Sequence, residues 1–165
     1  MHRHALFACL MALAVAGGAA KAEPRNAGWG AARPGVAGGC ASCHFAGDPV
    51  TGSSAIAIDG LPDTVEAGVA YSVTLSFATP EARTAAFLAS FDAGEVIAGD
   101  EALQLRRGAV RSPEAVAAPA AWSFTWRAPA TPGDVVLNVV ANAGNDDASP
   151  FGDVVHYAER RVAVE

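Results

Sequence analysis

The strongest constraint on the fold is a two-residue alternation that recurs along the chain. Tyr71, Val73, Leu75 and Phe77 alternate with Ser72, Thr74 and Ser76, and Trp122, Phe124 and Trp126 alternate with Ser123, Thr125 and Arg127. A period of two sends successive side chains to opposite faces of a β-strand, so both segments read as strands with one apolar face. Phe87, Ala89 and Phe91 repeat the period, as do Leu103 and Leu105 among polar neighbours. Ile56 and Ile58 alternate with small residues until Gly60-Leu61-Pro62 ends the run, and Val96-Ile97 lies between Gly94 and Gly99. Residues 135–140 are almost continuously apolar, as expected of a strand covered on both faces, and residues 154–164 form a last strand.

Turn chemistry separates these runs. Ala128-Pro129 and Thr131-Pro132-Gly133 stop one strand, and the run from Asn142 to Asp147 stops the next. The alanines of residues 115–121 invite a helix, but Pro113 and Pro119 argue against a long one. Many short strands with such punctuation predict an all-β fold, an antiparallel β-sandwich of immunoglobulin-like type over residues 53–165. No internal repeat is visible.

Residues 1–22 read as a secretory signal peptide: Arg3 precedes an apolar run over 5–16, and Ala20-Lys21-Ala22 offers a small-residue cleavage site. That run is shorter than the roughly 20 residues a membrane span needs. Removal of residues 1–22 takes Cys9, both methionines and the sole lysine, and leaves nine basic against 17 acidic residues, a net charge of −8. An acidic chain without a basic cluster argues against nucleic acid or an anionic membrane surface as partner. The expectation is an exported protein, periplasmic or secreted, with no membrane span after cleavage.

Residues 23–52 differ from the rest. Seven glycines and three prolines break any period, and apart from Trp29, Val36 and Phe45 little is suited to a core. This irregular arm carries Cys40-Ala41-Ser42-Cys43-His44, the C-x-x-C-H spacing of c-type haem attachment. Two thiols at this spacing can add to the two vinyl groups of one haem edge, and the histidine that follows can take an axial position on the iron. Export fits, because this attachment takes place outside the cytoplasm. The expectation is a mono-haem protein acting in one-electron transfer with a redox partner protein, with Cys40 and Cys43 as thioethers and His44 as proximal ligand. With methionine and lysine gone, the candidates for the sixth position are His156 and the α-amino group of Glu23; otherwise the position is open or water-bound. A structural role is the alternative for His156.

The same five residues admit other chemistry. Cys40 and Cys43 can be oxidised to a structural disulfide in an oxidising compartment, although the strand–helix context of a redox-active C-x-x-C is missing. Cys40, Cys43, His44 and His156 would also supply four zinc ligands. Elsewhere, Trp122, Phe124 and Trp126 are expected in the core, with an exposed carbohydrate-binding ladder as the alternative. Asn142, Asn145, Asp146, Asp147 and Asp153 are expected as turn formers, with Ca²⁺ ligation as the alternative. Arg106-Arg107 and Arg160-Arg161 are expected as solvated pairs on strand edges. No nucleophile elbow is present and no enzymatic activity is expected.

In order along the chain, Cys40-Ala41-Ser42-Cys43-His44, Gly60-Leu61-Pro62, the stretch 67–73, Trp122-Ser123-Phe124-Thr125-Trp126-Arg127-Ala128-Pro129, Ala141-Asn142-Ala143 and Gly152-Asp153-Val154-Val155-His156-Tyr157 resemble the pattern of bacterial Reeler-like secreted proteins of the choice-of-anchor type. The resemblance spans nearly all of residues 28–164. It implies an immunoglobulin-like sandwich on an exported protein and says little of chemistry. It also supplies a competing function, an extracytoplasmic binding or adhesion module in which the C-x-x-C-H is structural and binds no haem.

Overall fold

A computed structural model describes residues 28–36 and 39–165 of the chain. The segment 1–22, expected as a signal peptide, and the α-amino group of Glu23 lie outside these residues. The described chain forms eleven strands: β1 (Ile56–Asp59), β2 (Thr64–Val65), β3 (Ala70–Phe77), β4 (Thr84–Phe91), β5 (Glu95–Gly99), β6 (Gln104–Arg106), β7 (Ala109–Arg111), β8 (Val116–Ala117), β9 (Ala120–Arg127), β10 (Gly133–Gly144) and β11 (Val154–Val164). They make two sheets. One runs β1-β3-β9-β5; the other runs β2-β11-β10-β4-β7-β6, with β8 added on β4. The all-β expectation is met, and the alanine-rich stretch over 115–121 forms β8 and the start of β9 rather than a helix.

The alternation decides which faces meet. In β3 the buried positions are Val73, Leu75 and Phe77; in β9 they are Trp122, Phe124 and Trp126. These six residues face Ala85, Phe87, Ala89 and Phe91 of β4 and Val135, Leu137, Val139 and Ala141 of β10 in one core cluster. Aromatic contacts bridge the sheets. Phe91 stacks on Trp126 with ring centroids 4.5 Å apart, and Phe87 meets Trp122 at 4.6 Å. The Trp126 indole N–H donates to the Ala93 carbonyl at 3.1 Å, so its one polar atom is satisfied within the core. The three aromatic residues of β9 are therefore core, and no carbohydrate ladder is exposed there. Gly60 ends β1 with φ +85°, and a Cβ there would sit 1.9 Å from the Ser72 carbonyl oxygen, so only glycine fits where the chain crosses β3.

β10 lies between β11 and β4, and both of its faces are covered, as its apolar run predicts. Its inner face meets the opposite sheet. On its outer face Val140 packs with Leu88 of β4 and with Val155 and Tyr157 of β11. What covers this second cluster is the amino-terminal arm: Ala31 and Ala32 are buried in it, and Trp29, Cys40 and Ala41 pack against it. The Trp29 ring lies under the Arg111 guanidinium at 4.5 Å. The expectation that only Trp29, Val36 and Phe45 could pack is corrected. Val36 and Phe45 are exposed, and two small alanines sit where the backbone comes closest to the sheet.

The arginine pairs also differ from expectation in part. Arg160 is tied down: it donates to the Leu61 carbonyl at 3.0 Å and pairs with Asp63 at 2.8 Å, so it fastens the β1–β2 connection to β11. Arg106 lies on the exposed strand β6, in line with a solvated edge. Substituting Trp126 by alanine would leave a large void between the sheets and an unpaired Ala93 carbonyl. The expected loss is about 3–5 kcal/mol in denaturant unfolding; a loss under about 1 kcal/mol would contradict the central place given to this ring.

Candidate site at the cysteine-bearing turn

The C-x-x-C-H segment folds as one short 3₁₀ turn over Cys40–Ser42. The Ser42 amide donates to the Gly39 carbonyl at 2.9 Å, and the Cys43 and His44 amides donate to the Cys40 carbonyl at 3.2 and 3.0 Å. Cys40 opens this turn and Cys43 caps it, leaving helical geometry at φ −121°, ψ −33°. The two cysteines are free thiols. Their surroundings differ. Cys43 is exposed, whereas Cys40 is half-buried against the outer-face cluster beside Tyr157. Burial pushes the Cys40 thiol up to about 11. Burial also raises the Tyr157 phenol, with the adjacent Cys40 adding to the effect.

After the turn the arm runs along the second sheet. Phe45 and Phe151 form a parallel bridge, in which the Phe45 amide donates to the Pro150 carbonyl at 3.3 Å and the Gly152 amide to the Phe45 carbonyl at 3.4 Å. Five residues on, Val50 forms a second parallel bridge with His156. Here the Val50 amide donates to Val155 at 2.9 Å, the Tyr157 amide to Val50 at 2.8 Å and the Ser53 amide to Tyr157 at 2.9 Å. The arm thus satisfies the edge of β11 over its first half, and β2 pairs with Ala163 and Val164 at its far end.

This pairing brings His44 to Asp153. The His44 Nδ1 lies 2.7 Å from Asp153 Oδ2. Asp153 is 4 % exposed, and its carboxylate collects two further donors: the Asn142 side-chain amide at 2.8 Å and the Asn145 backbone amide at 3.2 Å. Each comes from a defined element. Asn142 projects from the outer face of β10, and Asn145 follows its end. Gly152 bends the chain just before Asp153 with φ +87°, where a Cβ would lie 2.8 Å from the Asn145 side-chain nitrogen. His44 and Asp153 are largely covered, at 13 % and 6 % side-chain exposure, while Phe45 and Phe151 stand exposed in an edge-to-face pair at 5.3 Å.

His156 is not brought to this site. Val155 and Tyr157 point outward to the arm, so His156 between them points inward. It is 7 % exposed, its Nδ1 lies 2.8 Å from Ser53 Oγ, and its ring meets Phe77 edge-on at 5.2 Å. The sheet separates it from Cys40, and its contacts with Ser53 and Phe77 suit the structural role given above as the alternative for His156. The four-residue zinc set falls for the same reason, and among the described residues no group of three or more His, Cys, Asp or Glu is gathered to hold a metal ion.

The acidic loop is likewise accounted for by local hydrogen bonds. The Asp147 amide donates to Asn145 Oδ1 at 3.1 Å and the Ser149 amide to Asp147 Oδ1 at 2.8 Å, while Asp146 takes φ 66°. These are turn formers, as expected. Asn142 and Asp153 are the exceptions: Asn142 is paired within β10, and Asp153 is a buried acceptor rather than a turn residue. Its partnership with His44, 109 positions away in sequence, was missed by sequence reasoning. The available signal was an aspartate directly before an apolar strand, preceded by a glycine.

The residues present fit covalent haem in two respects. Cys43 is open, and His44 is held by one ring nitrogen with the other free of hydrogen bonds to described residues. The Cys40 thiol fits less well, since its side chain lies on the sheet.

Burial holds the His156 imidazole below its ordinary 6.5, partly offset by the Glu81 carboxylate. The folded protein resists a proton that the unfolded chain accepts. The contribution of this residue is therefore fully present above pH 6.5 and is lost as pH falls below it. Denaturant unfolding across this range should show wild type losing stability relative to a His156→Gln variant as the pH drops. Parallel curves for the two proteins would contradict the buried neutral imidazole.

No protein-family profile matches the chain, and no curated protein sequence matches it. Solved structures do resemble it. The Reelin-N domain of F-spondin superposes with a TM-score of 0.52 at 20 % identity, covering 76 % of this chain and 95 % of that domain. The reeler domain of human F-spondin gives 0.51 at 20 % identity, covering 72 % and 95 %. The sulfur carrier protein SoxY from Chlorobium limicola is a looser likeness, with a TM-score of 0.45 at 20 % identity over 73 % and 88 %. What the chain shares with the two reeler domains is the fold, a two-sheet β-sandwich.

Proposed function

We propose that this chain is an exported, Reeler-like extracytoplasmic module that works by binding or adhesion through its β-sandwich, with the arm as a docked structural element. The observation that carries this is the burial of the arm in the sandwich. Cys40, Ala41 and Trp29 pack against Leu88, Val140, Val155 and Tyr157, so the cysteine-bearing turn completes the outer face of the sheet. In this reading Cys40 and Cys43, at the two ends of one short turn, serve as a local cross-link once oxidised, and no haem is bound. The likeness to reeler domains supports the sandwich as the working unit. In the described residues no helix is long and apolar enough to cross a membrane.

The geometry of His44 favours a second reading, in which the same module carries haem c and passes single electrons to a redox partner protein. An ionised carboxylate accepts hydrogen bonds only, so the His44 nitrogen facing Asp153 must carry the proton. In the neutral ring the lone pair is then on Nε2, the state a metal-ligating imidazole needs. Cys40 and Cys43 would hold the porphyrin and His44 its iron; haem when bound would supply a one-electron couple.

One experiment separates the two. The protein is exported from a host with a c-type maturation system, beside a Cys40→Ala/Cys43→Ala double variant, and pyridine haemochrome spectra are recorded. A colourless wild type under proven maturation conditions is the outcome expected of the binding module. A c-type α-band present in wild type and absent from the variant would overturn it in favour of the haem protein.

A further inference from the structure

We propose that Asp153 is a positioning residue for His44: it fixes the ring in a single tautomer, with the proton on Nδ1 and an unprotonated Nε2 directed to solvent as a donor atom for a metal centre. For the identity of that metal, haem iron, the proposal rests on the second reading above; the positioning itself stands on the haem-free structure.

Three observations converge on it. The Nδ1–Asp153 distance of 2.7 Å is that of a charge-assisted hydrogen bond. Asp153 cannot swing away, because its other contacts, from the Asn142 side chain and the Asn145 amide, hold both carboxylate oxygens, and it is 4 % exposed. The His44 backbone is fixed independently, by its own amide on the Cys40 carbonyl at 3.0 Å and by the Phe45–Phe151 bridge one residue on. The ring is thus clamped at its base and at Nδ1, while Nε2 makes no hydrogen bond to a described residue and is not sealed from solvent. A histidine serving only to anchor the arm would need the carboxylate contact but no free second nitrogen. A ligand histidine needs both, because the partner on the far nitrogen sets the tautomer and the ring orientation. With iron bound, a carboxylate on Nδ1 also gives the imidazole more anionic character and favours the oxidised metal.

Long-range proton–nitrogen correlation spectra of the haem-free, ¹⁵N-labelled protein test the positioning. The expected result is a pyrrole-type Nδ1 and a pyridine-type Nε2 for His44 in wild type. An Asp153→Ala variant should shift the ring toward the opposite tautomer, which free imidazole side chains prefer. A wild-type ring protonated mainly on Nε2 overturns the proposal, and so does a folded Asp153→Ala protein with unchanged nitrogen shifts. Should that variant not fold, the wild-type spectrum decides alone. In haem-loaded protein, Asp153→Asn should raise the reduction potential, and an unchanged potential counts against the proposal. Because the tautomer is read without haem, a negative haemochrome removes the iron and leaves the positioning to be decided by its own spectrum.

Discussion

The backbone pairing of the arm with β11 is the interaction on which the rest of the site depends. β11 is a long strand with β10 on one side, and without cover its other edge would present unpaired amides and carbonyls. The arm supplies partners at Val50 and Ser53, and β2 supplies them at the far end. With Val50 fixed to this edge, only four residues separate it from Phe45, whose own bridge to Phe151 sets His44 beside Asp153. The cysteine turn is held in the same way, through the His44 amide on Cys40 and the packing of Ala41 and Cys40 on the sheet. An irregular, glycine-rich segment acquires a fixed place because its backbone groups are used by a regular element.

The pleat of β11 then sorts the chemistry. Consecutive residues Val155, His156 and Tyr157 point out, in and out. The outward pair receives the arm, and the inward histidine closes the core against Phe77 and Ser53. The two histidines of the described chain are therefore on opposite sides of one sheet, one a buried neutral group and the other hydrogen-bonded to a carboxylate at the arm. A one-residue shift in register would turn His156 outward and Val155 and Tyr157 into the core, which is why the continuous pairing of β10 with β11 from Gly133–Val164 to Ala143–Val154 matters for the site as well as for the fold.

Much of the sandwich was legible from residue alternation. Val73, Leu75 and Phe77, and Trp122, Phe124 and Trp126, declare their buried face because serine and threonine occupy the positions between them. The arm was not legible. Its packing residues, Ala31 and Ala32, carry no periodic signal, and their burial comes from close approach of the backbone rather than from side-chain size. The cysteines and His44 were visible as a motif, but the aspartate that holds His44 was not. That contact joins positions 109 apart, and local propensity read Asp153 as one more turn former in an acidic loop. The face taken by His156 was not legible for a related reason: sequence places it on a strand but does not say which face the arm will cover.

Amide hydrogen exchange tests the docking of the arm most directly. If the arm is an edge strand of the second sheet, the amides of Val50, Ser53 and Tyr157, which carry the pairing, will exchange slowly, with protection approaching that of the sandwich core. Free exchange at Val50 and Ser53 beside protected amides in β10 would contradict the account, because His44 would then have no fixed approach to Asp153.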